Sequence, residues 1–216
     1  MTDPVAFFDE MLATTRSVRR RIDFERTVEP ALIYDCIDLA VQAPSSVGGE
    51  TWRFVVLTEP IRKDAMATLY RKSFDTFLAA QAQELAAQGR TPEPLPPNYR
   101  YLADRMQDFP AIIVVCREGR PPADTAGQVA FYSSVIPAAW SLMLALRARR
   151  LGTTWTTLHS RYENESADII GMPSDATAAV VLPVGHMKDA RLKRAQRSPA
   201  RSVTYWNQWG AADGLE

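Results

Sequence analysis

Two basic runs, a glycine-bearing loop and a threonine-rich stretch hold most of the side chains in this sequence that could do chemistry. Thr14-Thr15-Arg16-Ser17-Val18-Arg19-Arg20-Arg21 is the densest positive cluster. Arginine grips an anion through two parallel hydrogen bonds, and Ser17 adds a hydroxyl donor in reach of the same group. The same run also suits a solvated turn whose arginines face water. A second basic run near the other end carries Lys188, Arg191, Lys193, Arg194, Arg197 and Arg201. The loop from Gln42 to Arg53 contains Pro44, Ser45, Ser46 and the pair Gly48-Gly49. Its backbone can approach a ligand closely, or it simply connects two elements.

Other chemistries lack their residues. The sequence has no phosphate-binding Walker loop, no glycine-rich dinucleotide fingerprint, and no Cys or His spacing that suits zinc. His159 and His186 are the only histidines, and no serine sits in a nucleophile-elbow pattern. If the chain is an enzyme, its reactive group belongs to a bound cofactor. Twenty-five Lys plus Arg balance 25 Asp plus Glu, so no global field draws the chain to nucleic acid or to an anionic membrane. Any anion binding must be local. Cys36 and Cys116 each lie in an apolar run and read as buried free thiols. The N-terminal MTDPVAFFDEML has acids where a secretory signal has a basic start, so a cytoplasmic location is expected.

The elements that must position these groups are organised around Gln128 to Leu158. From Val129 to Leu146 no residue is charged, and apolar side chains run all round the helical wheel, which predicts a core helix buried on every side. A membrane span is the rival, but Ser133, Ser134, Pro137 and Ser141 interrupt the run and no other segment could join it in lipid. Leu151-Gly152 is expected to cap the helix, and Thr153 to Leu158 to follow as a strand. Helices are further predicted from Asp3-Pro4, with Phe7, Phe8, Met11 and Leu12 on one face, and over Ala31 to Val41, Ile61 to Ala87, Tyr99 to Met106 and Ser166 to Gly171. Strands are predicted at Phe54–Leu57, Ala111–Cys116, Ala178–Val184 and Val203–Trp206. Pro92 to Pro97 carries four prolines and reads as an extended lid over a site. At 216 residues the chain is expected to form one domain.

Four stretches together resemble the nitroreductase family of FMN-dependent oxidoreductases. Arg16-Ser17-Val18-Arg19 resembles the family's N-terminal Arg-Ser-x-Arg signature. Ala43-Pro44-Ser45 with Trp52-Arg53-Phe54-Val55-Val56 resembles its Ala-Pro-Ser…Pro-Trp-x-Phe-Val-Val segment. Leu151-Gly152 and the strand after it occupy the place of the family's flavin-contacting strand, and Pro183-Val184-Gly185-His186 with Arg197 and Pro199 resembles the closing pattern. Thr15 stands where the family often has a further arginine, and Gly48-Gly49-Glu50-Thr51-Trp52 replaces its Asn-x-Gln-Pro-Trp, which implies a flavin ring held more by backbone groups, or held weakly.

The resemblance implies an α+β fold: a central, mostly antiparallel sheet wrapped by helices, in an intertwined homodimer whose C-terminal strand, Val203 to Trp206, extends the partner's sheet. It implies FMN as cofactor and NAD(P)H as electron donor, with a nitroaromatic or quinone as acceptor in a ping-pong reaction. Arg16, Ser17 and Arg19 would hold the phosphate and the polar edge of the ring, with Arg197 and Arg194 closing on the phosphate. Pro44, Ser45 and Ser46 would reach the flavin from the other subunit, and Thr157, Leu158 and His159 would line the ring. The alternative is a dimer that binds flavin without turning it over. A dehalogenating branch of the family grips an amino acid with an acidic, tyrosine and lysine set, and no such set is legible between Tyr70 and Phe109.

Overall fold

The computed structural model describes residues 3–45, 49–91, 93, 100–189 and 191–211. The chain packs as two compact units, one formed by residues 15–190 and a smaller one by residues 1–14 and 191–216.

The larger unit is built on five strands: β1 (Ile22–Asp23), β2 (Trp52–Leu57), β3 (Ala111–Glu118), β4 (Leu151–Thr153) and β5 (Ala176–Met187). All pairings are antiparallel, in the order β1-β5-β3-β2, with β4 also on β5. Every residue of β5 is buried, as befits a mostly apolar run in a strand covered on both faces. In β3, Ala111, Ile113 and Val115 join the main apolar cluster, while Ile112 and Val114 on the opposite face are equally buried.

Among the described residues of this unit, five α-helices surround the sheet: α2 (Pro30–Ala40), α3 (Pro60–Ala87), α4 (Tyr101–Arg105), α5 (Thr125–Ala148) and α6 (Glu163–Ile170). Proline at the first turn of α2 and α3 supplies a φ already suited to a helix start. Asp124 caps α5 by accepting from the Gly127 amide, and Gly171 ends α6 in the left-handed conformation that glycine adopts most readily. The Trp52 indole donates to the Ser134 carbonyl at 2.9 Å and ties β2 to α5.

α5 is long and apolar enough to cross a membrane, yet it packs on α2 and the sheet. It is not buried on every side. Val135, Ala138, Ala139, Leu142 and Leu146 face the core at helical spacing, whereas Val129, Tyr132 and Trp140 are exposed on this chain. An evenly apolar wheel gives no stripe from which the inward face could be told.

The turn after α5 also differs from expectation. The left-handed residue is Arg150, at φ 61°, and Gly152 lies inside β4 opposite Gly185. The predicted strand over Thr153 to Leu158 begins earlier, at Leu151, and stops at Thr153. Thr156 keeps a single bridge to Val181, and Leu158–Tyr162 coils into a 3-10 helix. Threonine favours an extended backbone, but a strand persists only where it finds a paired neighbour.

In the smaller unit, α1 (Pro4–Thr14) leaves Phe7, Phe8 and Leu12 exposed. The expected strand at Val203–Trp206 does not form: Ala200–Val203 is a 3-10 turn, and Tyr205 and Trp206 are exposed. An edge strand needs a partner strand, and the segment has none among the described residues. The Pro92–Pro97 segment, apart from Glu93, lies outside the described residues, so its expected role as a lid is not placed.

Candidate functional site

The site grows from a pair of glycines. Gly152 in β4 and Gly185 in β5 lie opposite each other, and a Cβ on Gly185 would fall 2.5 Å from the Ile22 Cγ2. On Gly152 it would fall 2.8 Å from the Ile22 Cδ1 and 3.1 Å from the Val18 Cβ. Their bare backbone leaves a floor on which residues 18–22 lie against the sheet. Two hydrogen bonds fix the register: the Val18 amide donates to the Thr153 carbonyl at 2.7 Å, and the buried Thr154 hydroxyl donates to the Val18 carbonyl at 2.9 Å. Val18 is thereby locked inward, and Ser17 and Arg19 flank it.

The next residues pass from β4 along β5. Thr156 exchanges both backbone hydrogen bonds with Val181, at 3.1 and 2.9 Å, and the His159 Nε2 lies 3.0 Å from the Ala178 carbonyl. A carbonyl only accepts, so Nε2 carries the proton, and Nδ1 is left as a buried lone pair without a protein partner. Burial pushes the His159 imidazole below its ordinary pKa, against the Ala178 carbonyl and Glu163, which favour the charged form.

These two pinned segments and α3 enclose a hollow of about 250 Å³. Arg19 comes from the first segment, Trp155, Thr156, Thr157 and Leu158 from the second, and Tyr70, Phe74 and Phe77 from α3. The Tyr162 phenol shares a 2.8 Å hydrogen bond with the Thr76 hydroxyl, which ties the 3-10 helix to α3 beside the hollow. The half-buried Arg19 guanidinium makes no hydrogen bond or ion pair with any described residue, and no acidic side chain lines the wall. A half-buried cation without an internal anion, set among aromatic rings, suits a planar ligand with a negative or electron-rich edge.

The structure therefore brings together Arg19, Thr157 and Leu158, with Ser17 next to Arg19. His159 packs behind the wall, held to β5. Arg16 is exposed on the same segment, and Pro44 and Ser45 are exposed on the loop before β2. Ser46 and Gly48 lie outside the described residues. Arg194 and Arg197 are exposed in the smaller unit. The aromatic wall escaped the sequence reading, which predicted only a helix over Ile61 to Ala87. Its trace is the spacing 70, 74, 77, which puts three rings on one helical face.

A family model described as "Nitroreductase family" matches residues 12–186, a span that contains the whole hollow. The chain belongs to the nitroreductase family. Among curated relatives, an iodotyrosine deiodinase of Thermotoga neapolitana is 27% identical over 183 residues, covering 84% of this chain and 90% of its own. Among solved structures, an oxidized iodotyrosine deiodinase bound to FMN and 3-iodo-L-tyrosine superposes with a TM-score of 0.68 at 20% identity, covering 93% of this chain and 98% of its own. The NADPH:FMN oxidoreductase of Vibrio harveyi complexed with NAD+ does so at 0.68 and 15%, covering 93% and 76%. These likenesses establish the nitroreductase-like fold, with its helices around an antiparallel sheet.

Proposed function

We propose that this chain is an FMN-dependent oxidoreductase that takes reducing equivalents from NAD(P)H and passes them to a small aromatic acceptor. The observation that carries this reading is the Arg19 guanidinium, without a partner among the described residues, in an aromatic hollow and fixed by the backbone of Val18. FMN, when bound, supplies reversible hydride and electron transfer, for which the protein needs no side-chain nucleophile.

The chain's own residues hold and shape. Arg16, Ser17 and Arg19 grip the phosphate and the polar edge of the ring, and Arg194 and Arg197 contribute the second basic run. Thr157 and Leu158 form the wall against the ring, and the imidazole of His159, bonded to Ala178, keeps that wall in place. Tyr70, Phe74, Phe77 and Trp155 exclude water, which strengthens each polar contact made inside. As the family resemblance implies, donor and acceptor take turns at the same site.

The working unit is a homodimer. Val129, Tyr132 and Trp140 on α5, with Tyr34 and Leu39 on α2, are large apolar side chains exposed on this chain that a second copy would cover, and the loop bearing Pro44 and Ser45 would reach that copy's site. Light scattering at micromolar concentration should return twice the chain mass.

The deciding experiment is the visible spectrum of protein incubated with FMN and desalted, then titrated anaerobically with NADPH. Retained flavin bands that bleach support the reading; a colourless protein refutes it, and bands that never bleach leave a binding role. A nitroaromatic, a quinone and 3-iodo-L-tyrosine offered to the reduced protein then sort the acceptors.

A further inference from the structure

A second groove lies on the far side of α3. At 3.6 residues per turn, Ala65, Thr68, Leu69 and Lys72 fall on the side of that helix away from Tyr70, Phe74 and Phe77, so the groove is separate from the aromatic hollow. Glu165, Asp168 and Ile169 of α6 form its other wall, and its volume is about 410 Å³. The two helices run antiparallel, since Arg62 meets Ile169, Lys72 meets Glu165, and Thr76 meets Tyr162 just before α6 begins. Both ends of the groove are bridged. Arg62 donates to the Ile169 carbonyl at 2.6 Å, and the Lys72 ammonium reaches both Glu165 oxygens, at 2.6 and 2.9 Å. Between the bridges, Ala65, Leu69 and Ile169 supply apolar lining.

The charges along this groove do not balance. Glu165 is neutralised by Lys72, which also lies 3.9 Å over the Tyr162 ring. Asp168 is exposed one turn further along the same face of α6, and no described residue donates to its carboxylate or pairs with it. The last turn of α6 carries no basic residue, so the negative end of its dipole adds to the field of Asp168. Arg62, beside that end, is itself paired with Glu59 at 3.1 Å.

We propose that the groove between α3 and α6 is a binding site for a free primary amine with a short alkyl chain. The chain lies on Ala65, Leu69 and Ile169, and the ammonium donates to the Asp168 carboxylate, a charge-assisted bond that a neutral alcohol of the same shape cannot make. The bridges at the two ends suit a small molecule rather than a peptide running through. An anionic head group would face Asp168 without a partner and is rejected. The site shares no residue with the hollow, and its occupancy needs no flavin.

The test titrates n-butylammonium chloride and its neutral counterpart 1-butanol into the full-length protein with carbon-13-labelled isoleucine methyl groups. The Ile169 methyl resonance, assigned through Ile169→Val, should shift with both ligands, and the amine should bind about fivefold tighter at low salt, in line with an exposed ion pair. Asp168→Asn, a change at an exposed side chain, should abolish that preference by weakening the amine alone. Asp168→Glu should keep part of it, and 0.5 M salt should shrink it. An Ile169 resonance that ignores both ligands, equal affinities in the wild type, or a preference that survives Asp168→Asn would each overturn the proposal. The same titration on protein that retains no flavin should give the same preference, so the groove and the redox reading fail separately.

Discussion

Replacing Gly152 by alanine should loosen both the fold and the grip on FMN. The new Cβ would stand 2.8 Å from the Ile22 Cδ1, 2.9 Å from the Met187 Cγ and 3.1 Å from the Val18 Cβ. Against the 3.4 Å at which ordinary contact begins, these are overlaps of about 0.6, 0.5 and 0.3 Å. The ends of Ile22 and Met187 can turn aside, but the Val18 Cβ is tied to a backbone held at Thr153 and Thr154. Overpacking of this kind costs about 1–3 kcal/mol, or about 2–12 °C in Tm for a chain of this size. Because Val18 must shift, Arg19 shifts with it, and the Kd for FMN should rise about tenfold, the equivalent of about 1.4 kcal/mol. Thermal melts and fluorescence titration of FMN measure the two effects separately. Gly171→Ala is the control: its φ of 66° strains an alanine, but nothing lies within 4 Å, so it should lower Tm and leave the Kd alone. A Gly152→Ala protein that melts earlier yet binds FMN as before would refute the link between the glycine floor and Arg19.

Thr154→Val removes the buried hydroxyl that donates to the Val18 carbonyl and should destabilise by about 1–3 kcal/mol in urea denaturation, with Thr154→Ser largely restored. Both histidines are held below their ordinary pKa of 6.5, His159 mainly by burial, and His186 by burial and Arg26 against the Thr27 backbone, Asp23 and Glu29. The unfolded chain therefore takes up protons near pH 6.5 that the folded chain refuses. Stability should be fully present above that pH and fall as the pH drops below it, and His159→Gln should flatten the urea midpoint profile between about pH 7 and 5. Burial pushes the Cys116 thiol up to about 12, so iodoacetamide at pH 8 should leave it unlabelled, by mass spectrometry, until the protein unfolds.

Much of the sheet and most helices were legible in the sequence, because Ala111 to Cys116 and Ala178 to Val184 are continuous apolar runs and prolines mark the starts of α2 and α3. Arg19, Thr157 and Leu158, which the structure brings together around one hollow, were singled out as candidates through the resemblance. What escaped depends on contacts between distant segments. β1 is two residues long and exists only because Ile22 and Asp23 meet Met187 and His186, a pairing no local pattern announces. The role of Gly152 as a floor, rather than a helix stop, is likewise set by Val18 and Ile22 above it. Tyr70, Phe74 and Phe77 are spaced like any core face, and only the position of the 155–158 segment opposite them makes a wall.

The pairing of Ile22 with Met187 joins the beginning of the larger unit to its end, and this sets an order of assembly. On a ribosome the segment bearing Ser17 and Arg19 emerges first, yet the groove it occupies is made by β4 and β5, which emerge last. The corner proposed to hold the anion is thus the final part of the unit to close, after the long loop between its two sides has been drawn together. It is also the first part able to peel away without disturbing the pairing of β2, β3 and β5. A ligand gripped there latches the closure by mass action, so the free protein should be nicked by trypsin at Arg16 to Arg21 well before the loaded one.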